Sequence, residues 1–182
     1  MNIHQKIEDL GGIGSDGDFG DVRRVTIEDV RRVEQHIGHT LPAEYGDFLL
    51  TYGSGWFGFK KAVVFPLQHW ADGLGTIDSF WGAVPHESRS QYDLIANHDS
   101  WVTGPKREVP ANLLPIASDA AGNLICLSVA GEDTGAVLLW DHEEVVWVSP
   151  EPGYENVCLI APSFSAFINL LQVDETVEDE TE

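Results

Sequence analysis

Apolar positions recur along this chain in two rhythms, and each rhythm marks a different kind of element. Ile27, Val30, Val33 and Ile37 fall three or four residues apart, which places them on one face of a helix over 26–37. Thr26 stands at its start with Asp29 three residues on, the pattern of a capping box, and Gly38 is a natural stop. Glu28 and Arg32 are spaced to pair on the opposite face. Tyr45, Phe48, Leu49 and Tyr52 repeat the stripe in a second helix. It begins near Pro42, whose missing N–H has no partner to lose in a first turn, and ends at Gly53. The tight link between the two predicts an angled or antiparallel helix pair. Phe164, Phe167, Ile168 and Leu171 form a third stripe behind Ser163, a good N-cap.

The second rhythm is that of strands. Residues 56–67 alternate or run apolar up to Pro66 and predict one or two strands. From Leu113 the pattern strengthens. Leu114–Ala117, Leu124–Val129, Ala136–Trp140 and Val145–Val148 are short β-rich runs separated by the turn-like segments 118–123, 130–135 and 141–144. Connections this short join only antiparallel neighbours, so a meander is expected over 113–148. Near-continuous hydrophobicity within the runs predicts that both faces of the sheet are at least partly covered. A loop at 149–156 leads to a further apolar run, Val157–Ala161. Residues 68–112 carry little pattern beyond a helix around 88–97 built on Tyr92, Ile95 and Ala96. The reading is a single α+β domain over 1–171: a helix pair, a mainly antiparallel sheet ending in a meander, and a closing C-terminal helix. Residues 1–21 read as a Gly/Asp-rich leader, and 172–182, with six acids and no base, as a disordered acidic tail.

Composition adds one constraint and charge another. With 43% hydrophobic residues over 182 positions, the chain has the means to build one ordinary core. Its longest apolar runs are five residues, far short of the roughly 20 a membrane-spanning helix needs, and the N-terminus has no apolar signal segment. Cys126 and Cys158 sit inside apolar runs and read as buried thiols in a reducing, cytoplasmic setting. The net charge of −20 is unevenly spread. All ten Lys and Arg lie at or before Arg107, whereas residues 108–182 hold fifteen acids and no base. Such a chain repels nucleic acid and anionic membranes and attracts basic partners.

Four segments resemble the SUKH superfamily, which includes fungal Smi/Knr-type cell-wall regulators and many bacterial immunity proteins. They are the helix pair VEQHIGHTLPAEYGDFLLTYGSG (33–55), the turn and strand DAAGNLICLSV (119–129), the Trp-ending strand AVLLWDHE (136–143), and the closing IAPSFSAFINLL (160–171). The match covers roughly 22–171 and is poor over 68–112. The resemblance implies helices packed on an antiparallel sheet, and binding in place of catalysis. It implies an immunity protein that neutralises a cognate toxin domain, plausibly a basic nuclease of a contact-dependent or polymorphic system. The alternative is a regulatory or scaffold module with several weaker partners.

The candidate chemistry is sparse. Asp141, His142, Glu143 and Glu144 form the most reactive-looking cluster, but a polar turn between strands explains them better than a general base does. Asp16, Asp18 and Asp21 lack the EF-hand pattern. His36 and His39 have no third ligand nearby in sequence, and neither HExxH nor CxxC occurs, so no metal, cofactor or catalytic residue is expected. Trp56, Phe57 and Phe59 are expected in the core, with an exposed partner anchor as the alternative reading. The partner-binding candidates are the acids of the meander turns. Asp119, Asp141, Glu143 and Glu144 are expected at one end of the sheet, and Glu132 and Asp133 at the other, because successive reversals place alternate turns together.

Overall fold

The computed structural model describes residues 2–14, 24–57, 62–67, 73–84, 92–104, 107–144 and 152–175. The helix pair forms as its spacing predicts. α2 (Ile27–Ile37) starts in a full capping box between Thr26 and Asp29 and ends at Gly38, which adopts a left-handed φ of 76°. α3 (Ala43–Tyr52) buries Tyr45, Phe48 and Leu49. One pairing differs from expectation. Glu28 meets Arg31 at 2.7 Å, while Arg32 turns inward and donates to the carbonyl of Ala83.

The leader opens on a helix. α1 (Ile3–Asp9) is capped by Asn2, whose side chain accepts from the His4 N–H. Ile3, Ile7 and Leu10 recur at helical spacing, and Ile7 and Leu10 are buried. α1 packs on the last helix, and β1 (Ile13–Gly14) then pairs with β2 (Gly55–Phe57). Asp16, Asp18 and Asp21 lie outside the described residues.

Among the described residues, ten strands make two antiparallel sheets. The larger runs in the order β1, β2, β5 (Ser79–Phe80), β6 (Leu113–Ser118), β7 (Leu124–Ser128), β8 (Val137–Trp140) and β9 (Val157–Ala161). The smaller holds β3 (Val63–Pro66) between β4 (Leu74–Ile77) and β10 (Gln172–Val173). Strands β6, β7 and β8 are buried almost residue for residue, so both faces are covered as their continuous hydrophobicity predicts. The α+β architecture is therefore as expected, with two differences. β9 takes the place beside β8 that the meander reading gave to Val145–Val148, a run that lies outside the described residues. The acidic tail also starts later than residue 172, because Gln172 and Val173 pair with Val64 and Val63. Of the tail, residues 176–182 lie outside the described residues.

The closing helix α5 (Phe164–Leu170) is capped by Ser163, as expected, and locks the layers together. Phe164 meets Tyr45 and Phe48 at ring-centroid distances of 5.0 Å, and Phe167 meets Phe65 at 5.4 Å. On the sheet side, Phe80 packs on Phe48 at 4.8 Å. These edge-to-face contacts join α3, α5 and both sheets through one aromatic cluster. The helix expected around 88–97 appears as α4 (Leu94–His98), capped by Asp93 and continued by a single π-helical turn, Asp99–Thr103. Trp140 packs on Trp101 of that turn and donates its indole N–H to the Glu108 carbonyl. Phe57 is buried and Trp56 half-buried against Tyr92, while Phe59 and Trp147 lie outside the described residues.

Candidate functional site

The antiparallel order of β6, β7 and β8 brings the 119–123 turn and the 141–144 turn together at one end of the large sheet. The link between them is specific. Asp119 accepts two hydrogen bonds of 2.8 Å from Asn123, one from its backbone N–H and one from its side-chain amide. That fixes which way the amide points, and its Oδ1 is left to accept the His142 backbone N–H at 3.1 Å and to face His142 Nδ1 at 2.9 Å. An amide oxygen only accepts, so the neutral ring carries its proton on Nδ1. Gly122, at φ 97°, supplies the left-handed turn that lets the imidazole lie over the loop.

This geometry sorts the predicted residues. Asp119 is 6% exposed and fully used inside the turn, so it builds the end of the sheet and does not face solvent. His142 is oriented by an amide in place of the carboxylate a general base would use. Asp141 is half-buried, with one oxygen accepting the Glu143 N–H at 2.9 Å, and Glu143 and Glu144 are exposed. Glu132 and Asp133 lie exposed in the β7–β8 turn, at the opposite end as expected, where Asp133 accepts from Ser128 at 2.9 Å.

Two acids that sequence reasoning missed join the first group. Asp78, in the corner between β4 and β5, lies near Asp119. Partial burial and then the Asp119 charge hold its carboxyl above the usual range. Glu155 precedes β9, and with Asp141 and Glu144 it rims an open groove of about 560 Å³. Its lining continues through Asn156 to the apolar Val157, Cys158 and Leu159, the last 57% exposed. β9 is the outermost strand of the sheet, with no partner on its far side among the described residues. A bulge at Ile160 breaks its register with β8. Only the folded register reveals this surface, because in sequence Val157–Ala161 is simply one more apolar run.

Cys126 and Cys158 are both free. Burial raises the pKa of each, and for Cys158 the Leu139 backbone hydrogen bond offsets part of that rise while the Asp141 charge adds to it. Among the described residues no helix is long and apolar enough to cross a membrane.

An acidic sheet end therefore lies beside an edge strand that exposes Leu159. The chain belongs to the SMI1 / KNR4 family (SUKH-1), whose pattern matches residues 24–170. It is also similar to the SPbeta prophage-derived uncharacterized protein YokK of Bacillus subtilis (strain 168). The two are 32% identical over 170 residues, covering 86% of this chain and 79% of that protein.

Proposed function

We propose that the chain is a non-enzymatic immunity protein that binds and neutralises a basic toxin domain in the cytoplasm. The observation that carries this reading is the groove at the end of the large sheet. Carboxylates of Asp141, Glu144 and Glu155 surround an exposed Leu159, in a part of the chain that has no Lys or Arg to offset them. Binding surfaces commonly combine an apolar anchor with a polar rim, and the rim charge sets which partner is attracted. A nuclease presents cationic groups to its phosphate substrate, and an acidic rim competes for the same groups. Family membership supports binding as the task, and nothing at the His142 turn supplies an oriented acid–base pair. The test is co-expression with the toxic C-terminal domain encoded by a neighbouring gene. Protected growth, lost on combining Leu159→Asp with Glu144→Lys, is the expected result. Full protection by that variant would overturn the assignment of the groove, and the absence of protection by the native chain would overturn the function.

A further inference from the structure

A second cluster, unrelated to the groove, lies where α2 meets α4. His36 closes the last turn of α2, His98 ends α4, and Asp99 opens the π-helical turn. Ligand atoms of all three fall within 4.8 Å of one another. His36 Nε2 is 2.7 Å from Asp99 Oδ1, and the His36 and His98 rings meet edge-on with centroids 5.5 Å apart.

Two features are left over after the hydrogen bonds are assigned. His98 is only 5% exposed, and its Nδ1 is buried with no hydrogen-bond partner. An unsatisfied buried ring nitrogen is costly and rare unless something else occupies it. The backbone also departs from α-helical geometry at this cluster, in a π-helical turn of a kind that recurs at functional sites.

We propose that His36, His98 and Asp99 bind a divalent transition metal, with Zn²⁺ as the natural occupant. Two imidazoles and one carboxylate suit zinc, whereas Mg²⁺ and Ca²⁺ take oxygen ligands. Bonds of about 2.0–2.2 Å place neighbouring tetrahedral donors about 3.4 Å apart. The observed spread closes to that by rotation of His36 and Asp99, whose side chains are 33% and 54% exposed. Their exposure also gives the ion a way in. Thr103 donates to Asp99 Oδ1 at 3.3 Å and orients the carboxylate, as outer-shell partners of metal ligands do. Three protein ligands leave a fourth position to water. The ion would tie α2 to α4 across 63 residues of sequence. That separation is why the sequence reading, which paired His36 with His39 and found no third ligand, expected no metal.

The test is a calorimetric titration of the full chain, stripped with a chelator, with Zn²⁺, and in parallel with Mg²⁺ as a measure of general attraction to an acidic surface. One Zn²⁺ per chain is expected to bind and to raise the unfolding temperature, with no equivalent effect of Mg²⁺. His36→Ala and Asp99→Asn lie at exposed positions and leave the fold intact by circular dichroism. Each should weaken Zn²⁺ by more than the roughly 10–100-fold that loss of an outer-shell partner costs. His4→Ala should leave it unchanged. Co²⁺ bound to the native chain should show tetrahedral visible absorption that both ligand variants lose. Zn²⁺ held no more tightly than Mg²⁺, or Zn²⁺ binding indifferent to both ligand variants, would overturn the proposal.

Discussion

Asp119 and Asp141 occupy turns at the same end of the sheet, and the fold uses them in different ways. Asp119 satisfies two donors of Asn123 from a buried position, so Asp119→Ala strands both. Urea denaturation should show a loss of about 1–3 kcal/mol. Glu143→Gln and Glu144→Gln alter exposed side chains and should stay within about 0.5 kcal/mol of the native chain. Asp78 gives a pH-dependent case. Its folded-state pKa is raised above the ordinary 3.8, so the folded chain holds the proton more tightly than the unfolded one. Stability from this group is therefore lost as pH rises from 3.8 through the raised folded value, and the penalty persists at neutral pH. Asp78→Asn should raise the urea midpoint at pH 7 and leave it unchanged at acid pH; an equal shift at both would mean the charge is not the cause. In sequence, Asp78 and Asp119 read as ordinary turn acids. Nothing local reveals that one is buried and that the other stands beside it, since strand pairing across the fold sets both facts.

Elements with a strong internal period were legible, and those whose shape depends on distant contacts were not. The stripes of α2, α3 and α5 announce themselves because a helix buries a face that its own spacing defines. Phe167 lies at the junction of both sheets, and Phe167→Ala should cost about 3–5 kcal/mol by urea denaturation. A change below about 1 kcal/mol would mean the aromatic cluster is not the keystone described. α1 has the same spacing in Ile3, Ile7 and Leu10 but only two turns of it, followed by glycines, so the sequence assigned no element there. β10 was hidden by the acids that follow it: two residues pair with β3 before the charge run begins. The turn lengths within β6, β7 and β8 fix antiparallel order. Nothing local could show that β9 returns to β8 and becomes the exposed edge, because edge and centre positions differ only in what lies alongside. The α4 region was only partly legible for a related reason: a five-residue helix running into a π-helical turn has no sustained period.

At the scale of the whole molecule, charge asymmetry and topology act together. The sequence places fifteen acids and no base after Arg107, and the sheet gathers Asp141, Glu144 and Glu155 around one apolar edge. Glu132 and Asp133 lie at the other end and should contribute less to capture of a partner. Long-range attraction of this kind acts chiefly on association, raising the rate from about 10⁵–10⁶ to 10⁸–10⁹ M⁻¹s⁻¹ at low salt. With a Debye length of about 8 Å at physiological ionic strength, added salt should slow capture steeply. The most direct test of the account is stopped-flow association with the neutralised toxin domain at several salt concentrations. The native chain is compared with the triple variant Asp141→Asn, Glu143→Gln, Glu144→Gln. The account predicts slower association and a flatter salt dependence for the variant; an association rate indifferent both to salt and to the triple substitution would contradict it.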